Sequence, residues 1–105
     1  MIKIIINKQN KQIVEVNVTG HANSAEYGKD LVCAGVSSIC VGIANALVSK
    51  DFLNHGSIDI KEGFVHIKVS ESSHDIQVVL ETFEIMLDTI EESYTKYIKI
   101  TKMEV

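Results

Sequence analysis

The segment Ile13-Val14-Glu15-Val16-Asn17-Val18-Thr19-Gly20 decides how the chain can fold. Its three valines are predicted to share one face, with polar side chains on the other, and a period of two is typical of a half-buried strand. Gly20 ends this strand. The preceding segment Ile2–Asn7 is rich in isoleucine, and the polar residues 8–11 between the two segments predict a turn. A β-hairpin is therefore expected at the start of the chain.

Beyond this hairpin, the periodicity of apolar residues predicts two helices and three further strands. In chain order these are a helix over Leu31–Lys50 with Asp30 as its N-cap, strands over Ile58–Lys61 and Phe64–Ser70 joined by the turn Glu62-Gly63, a helix capped by Ser72 or Ser73 and ending near Ser93, and a strand over Tyr94–Met103. The order ββαββαβ predicts a single α+β domain over residues 1–105. Its two main helices are expected to pack on one or both faces of a small mixed β-sheet.

The two helices differ in pattern. The first has few charges and several small residues, so it is predicted to be buried on most sides. The second has an apolar stripe opposite a row of acids, and that row is expected to be a solvated face or, alternatively, a surface that attracts a basic substrate. The stripe consists of Ile76, Val79, Leu80, Phe83, Met86, Leu87 and Ile90, and the acids are Glu81, Glu84, Asp88, Glu91 and Glu92.

Composition excludes several classes of function. The 105 residues are 46% hydrophobic, enough for one domain with its own core, and carry a net charge of −4. All ten basic residues are lysines. Because bidentate contacts to phosphate and guanine usually come from arginine, no nucleic acid is expected as a partner, whereas a basic peptide is compatible with the charge. None of His55, His66 and His74 has a partner at metal-ligand spacing, so no metal or cofactor is expected.

The two cysteines, Cys33 and Cys40, indicate a reduced protein. On one helix, seven residues separate them by about 10 Å along the axis, which is beyond the reach of a disulfide. A cytoplasmic location follows as the simple expectation. The longest apolar stretch, residues 39–48, is expected to be too short to cross a membrane.

Two short segments carry the candidate chemistry. Gly20-His21-Ala22-Asn23 places a histidine just after a strand, and twelve residues later Cys33 lies at about the third position of the predicted first helix. The free N–H groups and dipole of a first turn favour a thiolate, while a neutral imidazole at His21 could accept the thiol proton. The pair therefore predicts a Cys-His hydrolase. The segment between them, Ala22–Asp30, has little to pack and is expected to be a mobile surface loop.

Each of these residues also has a structural interpretation. A cysteine on an apolar helix is usually a core residue, which leaves a structural Cys33 open, and Cys40 is assigned to the core. Asp30 could orient His21 or simply cap the helix. Ser37, one turn after Cys33, could bond within the site or back to a helix carbonyl. The amides of Ala34 and Gly35 could serve as oxyanion donors.

At these residues the chain resembles the bacterial ribosomal-processing cysteine protease family, often called Prp. The resemblance rests on Gly20-His21-Ala22, on Asp30-x-Val32-Cys33-Ala34-x-Val36-Ser37 and on the length and element order of the whole chain. Gly35 departs from the alanine more common in the family.

The resemblance implies a homodimeric cysteine endopeptidase that removes a short N-terminal extension from large-subunit ribosomal protein number twenty-seven, in support of ribosome assembly. It maps the catalytic pair onto His21 and Cys33. It also implies a loop that orders over bound peptide, formed by Asn23, Ser24, Ala25, Glu26, Tyr27, Gly28 and Lys29. Two alternatives remain at this point: a non-catalytic ribosome-associated binding module with a structural cysteine, and a thiol redox sensor, although no resolving cysteine lies within reach.

Overall fold

The computed structural model describes residues 1–20 and 27–105, the first four of the latter by their backbone alone. The elements are β1 (Ile2–Gln9), β2 (Gln12–Thr19), α1 (Tyr27–Ser49), a 3₁₀ turn (Phe52–Asn54), β3 (Gly56–Lys61), β4 (Phe64–Val69), α2 (His74–Ser93) and β5 (Ile98–Glu104). The predicted α+β class and the order ββαββαβ are confirmed. The last strand begins at Ile98 rather than Tyr94, because residues 95–97 form a turn.

One mixed sheet of five strands organises the molecule, in the order β3-β4-β2-β1-β5. The predicted hairpins β1–β2 and β3–β4 are both present as antiparallel pairs, β2 pairs antiparallel with β4, and β5 runs parallel to β1. Positive φ angles at Asn10 and Lys11 close the first hairpin, as expected for a two-residue turn that follows the twist of the strands. In the second hairpin, β3–β4, Gly63 has a φ of 68° and likewise provides the positive φ angle that the turn requires.

A β-bulge in β2 corrects the predicted alternation. Asn7 pairs with Glu15 and Lys8 with Ile13, so Val14 is the extra residue. Ile13 is consequently buried with Val16 and Val18, whereas Val14 is only half-buried. The backbone of Ile13 is instead bonded to α2: its N–H donates to Oε1 of Gln77 at 2.9 Å, and its carbonyl accepts from Nε2 at 2.8 Å. A pattern of alternate residues cannot reveal a bulge, because one inserted residue shifts every side chain before it to the other face.

Both helices pack on a single face of the sheet. Alternate strand residues such as Ile4, Val16 and Ile67 point to this face and are fully buried. They join buried residues of both helices in one hydrophobic cluster. The opposite face of the sheet is open and polar, and on it Nε2 of His66 lies 2.6 Å from Oε2 of Glu15. This hydrogen bond is the main reason that the pKa of Glu15 is below its ordinary value.

The first helix differs from its prediction in length and in burial. It begins at Tyr27, four residues before Leu31, so Asp30 is its fourth residue and not its N-cap. It is also not buried on most sides, because it lies at the outside of the helical layer. A line of exposed residues at heptad spacing, which we call the α1 stripe, runs along its free face: Leu31, Ala34, Ser38, Val41, Asn45 and Val48.

The same helix is apolar enough to be compared with a membrane-spanning helix. Among the described residues, the window Leu31–Ser49 has the length and the mean hydropathy, 2.1, of a membrane-spanning helix. The apolar stretch predicted from the sequence, residues 39–48, is therefore shorter than the apolar part of the helix. A core helix of a soluble domain passes the same test, and here Val36 and Leu47 are buried in the core.

The second helix confirms Ser73 as its N-cap, since the Ser73 hydroxyl accepts a hydrogen bond from the N–H of Ile76. Its acidic row, however, is only partly solvated. Glu84 is buried, with its Oε2 2.9 Å from Nζ of Lys8 and 3.2 Å from Nζ of Lys102. The two lysines come from the paired strands β1 and β5, which no helical pattern could indicate. Burial opposes ionisation of Glu84, but the hydrogen bonds from both lysines outweigh it and lower its pKa.

Replacing Glu84 by glutamine should lower the free energy of unfolding at pH 7 by about 1–3 kcal/mol, since a charged, buried acceptor is lost. A carboxyl with a lowered folded-state pKa contributes stability above its unfolded pKa, near 4.5, and this contribution is lost as the pH falls through the folded value. The difference between wild type and Glu84→Gln should therefore shrink below about pH 4.5. Urea denaturation of both proteins at a series of pH values measures this difference in the free energy of unfolding. The exposed Glu81→Gln is the matched control, and an equal loss there would contradict the prediction.

Candidate active site

A groove of about 90 Å³, partly open to solvent, lies between the outer side of α1 and the adjoining end of the sheet. Cys33, Ser37 and Val41 line it from α1, and Ile60 and Phe64 line it from the β3–β4 hairpin. The other lining residues are Ile2, Val18, Gly20, Val36, Cys40, Lys61, Gly63 and Val65. Among the residues that the structure describes, the walls are mainly apolar and Lys61 is the one charged lining residue.

Cys33 is placed differently in α1 from the sequence prediction. It is the seventh residue of the helix, not the third, because α1 begins at Tyr27. The N–H groups that remain free at a helix start belong to its first four residues, so the first-turn argument for a thiolate does not apply. The side chain is half-buried and opens into the groove. The helix terminus therefore does not activate this thiol.

Cys40 forms the groove floor and is confirmed as a core residue, with 1% of its surface exposed. Burial raises the pKa of its thiol to about 11, so it stays protonated near neutral pH. Neither cysteine forms a disulfide. Of the two thiols, Cys33 is therefore the one suited to act as a nucleophile.

Of the predicted supporting residues, Ser37 is placed as expected, whereas Ala34 and Gly35 are not. Ser37 lines the groove together with Cys33, as its spacing indicated. Ala34 and Gly35, however, are the eighth and ninth residues of α1, where backbone N–H groups bond to helix carbonyls four residues earlier. A Cβ on Gly35 would lie 3.6 Å from Cδ1 of Ile90, so this position faces α2. The backbone amides of Ala34 and Gly35 are thus poorly placed as oxyanion donors.

His21 and the loop residues 22–26 lie outside the described residues, as do the side chains of Tyr27, Gly28, Lys29 and Asp30. The backbone of residues 27–30 belongs to α1, which corrects the loop boundary predicted at Asp30. The expectation that Asn23–Lys29 orders over bound peptide, and that Asp30 orients His21, stays a prediction.

Gly20 fixes the point from which the chain continues to His21. Its N–H donates to the carbonyl of Gly63 at 3.0 Å, and it lines the groove. Its φ is +97°, and a Cβ there would lie 2.5 Å from the carbonyl oxygen of Met1. Gly20 is therefore held beside the groove by a hydrogen bond and by a close backbone contact that only glycine allows.

Gly20→Ala should lower the free energy of unfolding by about 1–3 kcal/mol, since the side chain meets both an unfavourable φ and the Met1 backbone. Gly42→Ala is the matched control: its Cβ would meet nothing within 4 Å on an exposed helix face. That change should stabilise the protein by up to about 1 kcal/mol. Urea denaturation of both variants measures the two free energies of unfolding, and equal values would contradict the prediction.

Sequence reasoning missed the wall of the groove opposite Cys33. Ile60 and Phe64 follow ordinary strand patterns, so only the antiparallel pairings that bring the β3–β4 turn beside α1 reveal them. The side chain of Ile60 is 42% exposed, although it is on the face of the sheet that carries the helices. This exposure shows that the helices leave this end of the sheet uncovered.

A half-buried thiol that opens from a helix into an apolar groove is compatible with a small cysteine hydrolase. The comparisons with known proteins specify which one. The family model "Cysteine protease Prp" matches residues 1–99. The chain therefore belongs to the Prp family and is a cysteine protease.

Two relatives named "Ribosomal processing cysteine protease Prp" match nearly the full chain. The protein of Staphylococcus aureus strain Mu50 is 34% identical over 104 residues, covering 94% of each chain. The protein of Bacillus subtilis strain 168 is 34% identical over 109 residues, covering 96% of each.

Solved structures give the same result for the fold. The essential ribosomal processing protease Prp from S. aureus with a covalently linked product peptide superposes with a TM-score of 0.82 at 32% identity, over 97% of this chain and 99% of the other. The same S. aureus protease with a substrate peptide gives 0.80 at 30% identity, with the same coverage.

Proposed function

We propose that this protein removes a short N-terminal extension from large-subunit ribosomal protein number twenty-seven, with Cys33 as nucleophile and His21 as general base. The observation that carries the proposal is the half-buried Cys33 thiol in an apolar groove. The names of the S. aureus and B. subtilis relatives support ribosomal processing, and the peptide complexes of the S. aureus protease support a peptide substrate.

The chemistry proceeds by acyl transfer. His21 takes the proton of the Cys33 thiol, and the sulfur attacks the scissile carbonyl carbon to form a tetrahedral intermediate. When this intermediate collapses, the C–N bond breaks and the imidazolium protonates the leaving amine. Water, deprotonated by His21, then hydrolyses the thioester and releases the new carboxyl end.

The groove restricts which peptides fit. Its walls, formed by residues such as Val41 and Ile60, favour an apolar side chain next to the scissile bond, because a charged one would lose hydration there. The chain's net charge of −4 favours a basic segment elsewhere in the substrate. A buried Cys40 whose pKa is raised cannot readily resolve an oxidised Cys33, which argues against the redox-sensor alternative.

The decisive experiment is incubation of the purified protein with the extended ribosomal protein, followed by intact mass. We expect a single N-terminal cut by the wild type and none by Cys33→Ala. No cut by either protein, with equal binding of the substrate, would instead support the non-catalytic binding module.

We also place this protein in the cytoplasm, in agreement with its two unbridged cysteines. The α1 stripe, apart from its groove residue Val41, supports a homodimer. Its members recur at alternating steps of three and four residues, the spacing that lets two helices pack against each other, and all are exposed. Val48, 48% exposed, lies on the stripe outside the groove. Val48→Glu should shift the protein from dimer to monomer in sedimentation experiments at micromolar concentration. Lys50→Glu, exposed just after α1, is the control, and a wild-type monomer would refute the proposal.

A further inference from the structure

Strand β3 has an open edge. It lies at one end of the sheet order β3-β4-β2-β1-β5, and within the described residues only β4 pairs with it. An unpaired strand edge presents a row of N–H and C=O groups that can accept another strand. No proline occurs in the chain to block such an edge.

The register shows which backbone groups face outward. Lys61 pairs with Phe64 across the two-residue turn, and the pair that closes such a turn exchanges both hydrogen bonds. Hydrogen-bonded and non-hydrogen-bonded pairs then alternate along the strands, so Asp59 also bonds to β4. The N–H and C=O groups of Ile58 and Ile60 are therefore the ones that point away from the sheet.

The open edge of β3 ends beside the groove that contains the Cys33 thiol. Ile60 and Lys61, at the end of β3, line the same groove as Cys33. The side chains of Ile58 and Ile60 are on the face of the sheet that carries the helices, because Ile58 packs against the core and the residues between them alternate. The other edge strand, β5, contributes no residue to the groove lining.

We propose that the peptide substrate binds as an added antiparallel or parallel strand along β3, bonded to the backbone of Ile58 and Ile60, and so enters the Cys33 groove in extended form. This inference rests on the proposed function. Addition of a strand derives affinity from main-chain hydrogen bonds and specificity from alternate side chains. The substrate side chain opposite Ile60 would point toward the helices and into the apolar groove.

A scan of N-methylated peptides tests the proposal. The probe is a synthetic peptide of the ribosomal protein's N-terminal extension through the cleavage site, methylated at one backbone nitrogen at a time and bound to Cys33→Ala so that it stays intact. Only alternate residues of an added strand direct their N–H groups to β3. We expect dissociation constants to rise at least about tenfold at every second position and less than about threefold between them. A uniform effect, or none, would overturn the added strand.

Amide hydrogen exchange provides a second measurement on the protein itself. Peptide binding should slow exchange at Ile58 and Ile60 by at least about tenfold. Asp59, bonded to β4 in both states, is the internal control and should change little. Unchanged exchange at Ile58 and Ile60 at saturating peptide would overturn the proposal.

The two proposals fail in distinguishable ways. Cleavage of the unmodified peptide by the wild type without the alternating pattern overturns strand addition and leaves the proposed function standing. The alternating pattern without cleavage overturns the protease substrate assignment and retains the docking edge. A peptide that is neither bound nor cleaved overturns both.

Discussion

Cys33→Ala should abolish cleavage, with kcat/KM reduced on the order of 10⁴-fold or more, since covalent catalysis ends when the nucleophile is removed. The fold should survive, because the Cys33 side chain is only half-buried. The measurement is cleavage of the extended ribosomal protein, quantified by intact mass over time. Circular dichroism and urea denaturation confirm that the variant is folded.

Cys40→Ala is the matched control for this result. Cys40 lines the groove floor, is 1% exposed and has its pKa raised to about 11 by burial, so its loss should cost about 1–2 kcal/mol of stability and lower kcat/KM far less than Cys33→Ala does. Iodoacetamide at pH 7 should label Cys33 in the native wild type and should reach Cys40 only after unfolding. Retained cleavage in Cys33→Ala, or its loss in a folded Cys40→Ala, would reassign the nucleophile.

His21→Ala should lower kcat/KM by about 10²–10⁴-fold, the usual contribution of a general base. The thiol remains in this variant, so solvent can deprotonate it, and the residual rate should rise steadily with pH where the wild type has a plateau. A merely structural histidine would lower the rate without changing its dependence on pH. Rates measured from pH 5 to 9 separate the two cases.

His74→Ala is the control for the histidine prediction. His74 is exposed at the first residue of α2 and does not line the groove, so its loss should leave both rate and pH profile unchanged. An equal effect of His74→Ala and His21→Ala would indicate that neither histidine acts as the base.

The sequence predicted the elements of this fold well because its signals are local. The alternation of Val16 and Val18, two turns and a capping Ser73 each depend on a few neighbouring residues, and each is found in the structure. The start of α1 was wrong by four residues. Residues 27–30 have no apolar period of their own, so nothing in their pattern distinguishes a helix from a loop.

The candidate site was predictable only in part. The motifs around His21 and Cys33 select the chemistry, because a thiol nucleophile needs a base. They do not reveal the groove, since its opposite wall comes from Ile60 and Phe64, about thirty residues further along the chain. They also placed Cys33 in a first helical turn, and this was wrong because the helix starts at Tyr27.

The sequence by itself determined the secondary structure, the α+β class and the reactive residue types, because these depend on neighbours in the chain. Only the tertiary structure decided which surfaces are open and which charges are buried. The helical pattern predicts a solvated Glu84, but β1 and β5 bring Lys8 and Lys102 to it. Likewise, the apolar pattern predicts a buried α1, but the α1 stripe is exposed in the folded protein. Contacts between residues distant in sequence set burial and electrostatics, and a local pattern carries no information about them.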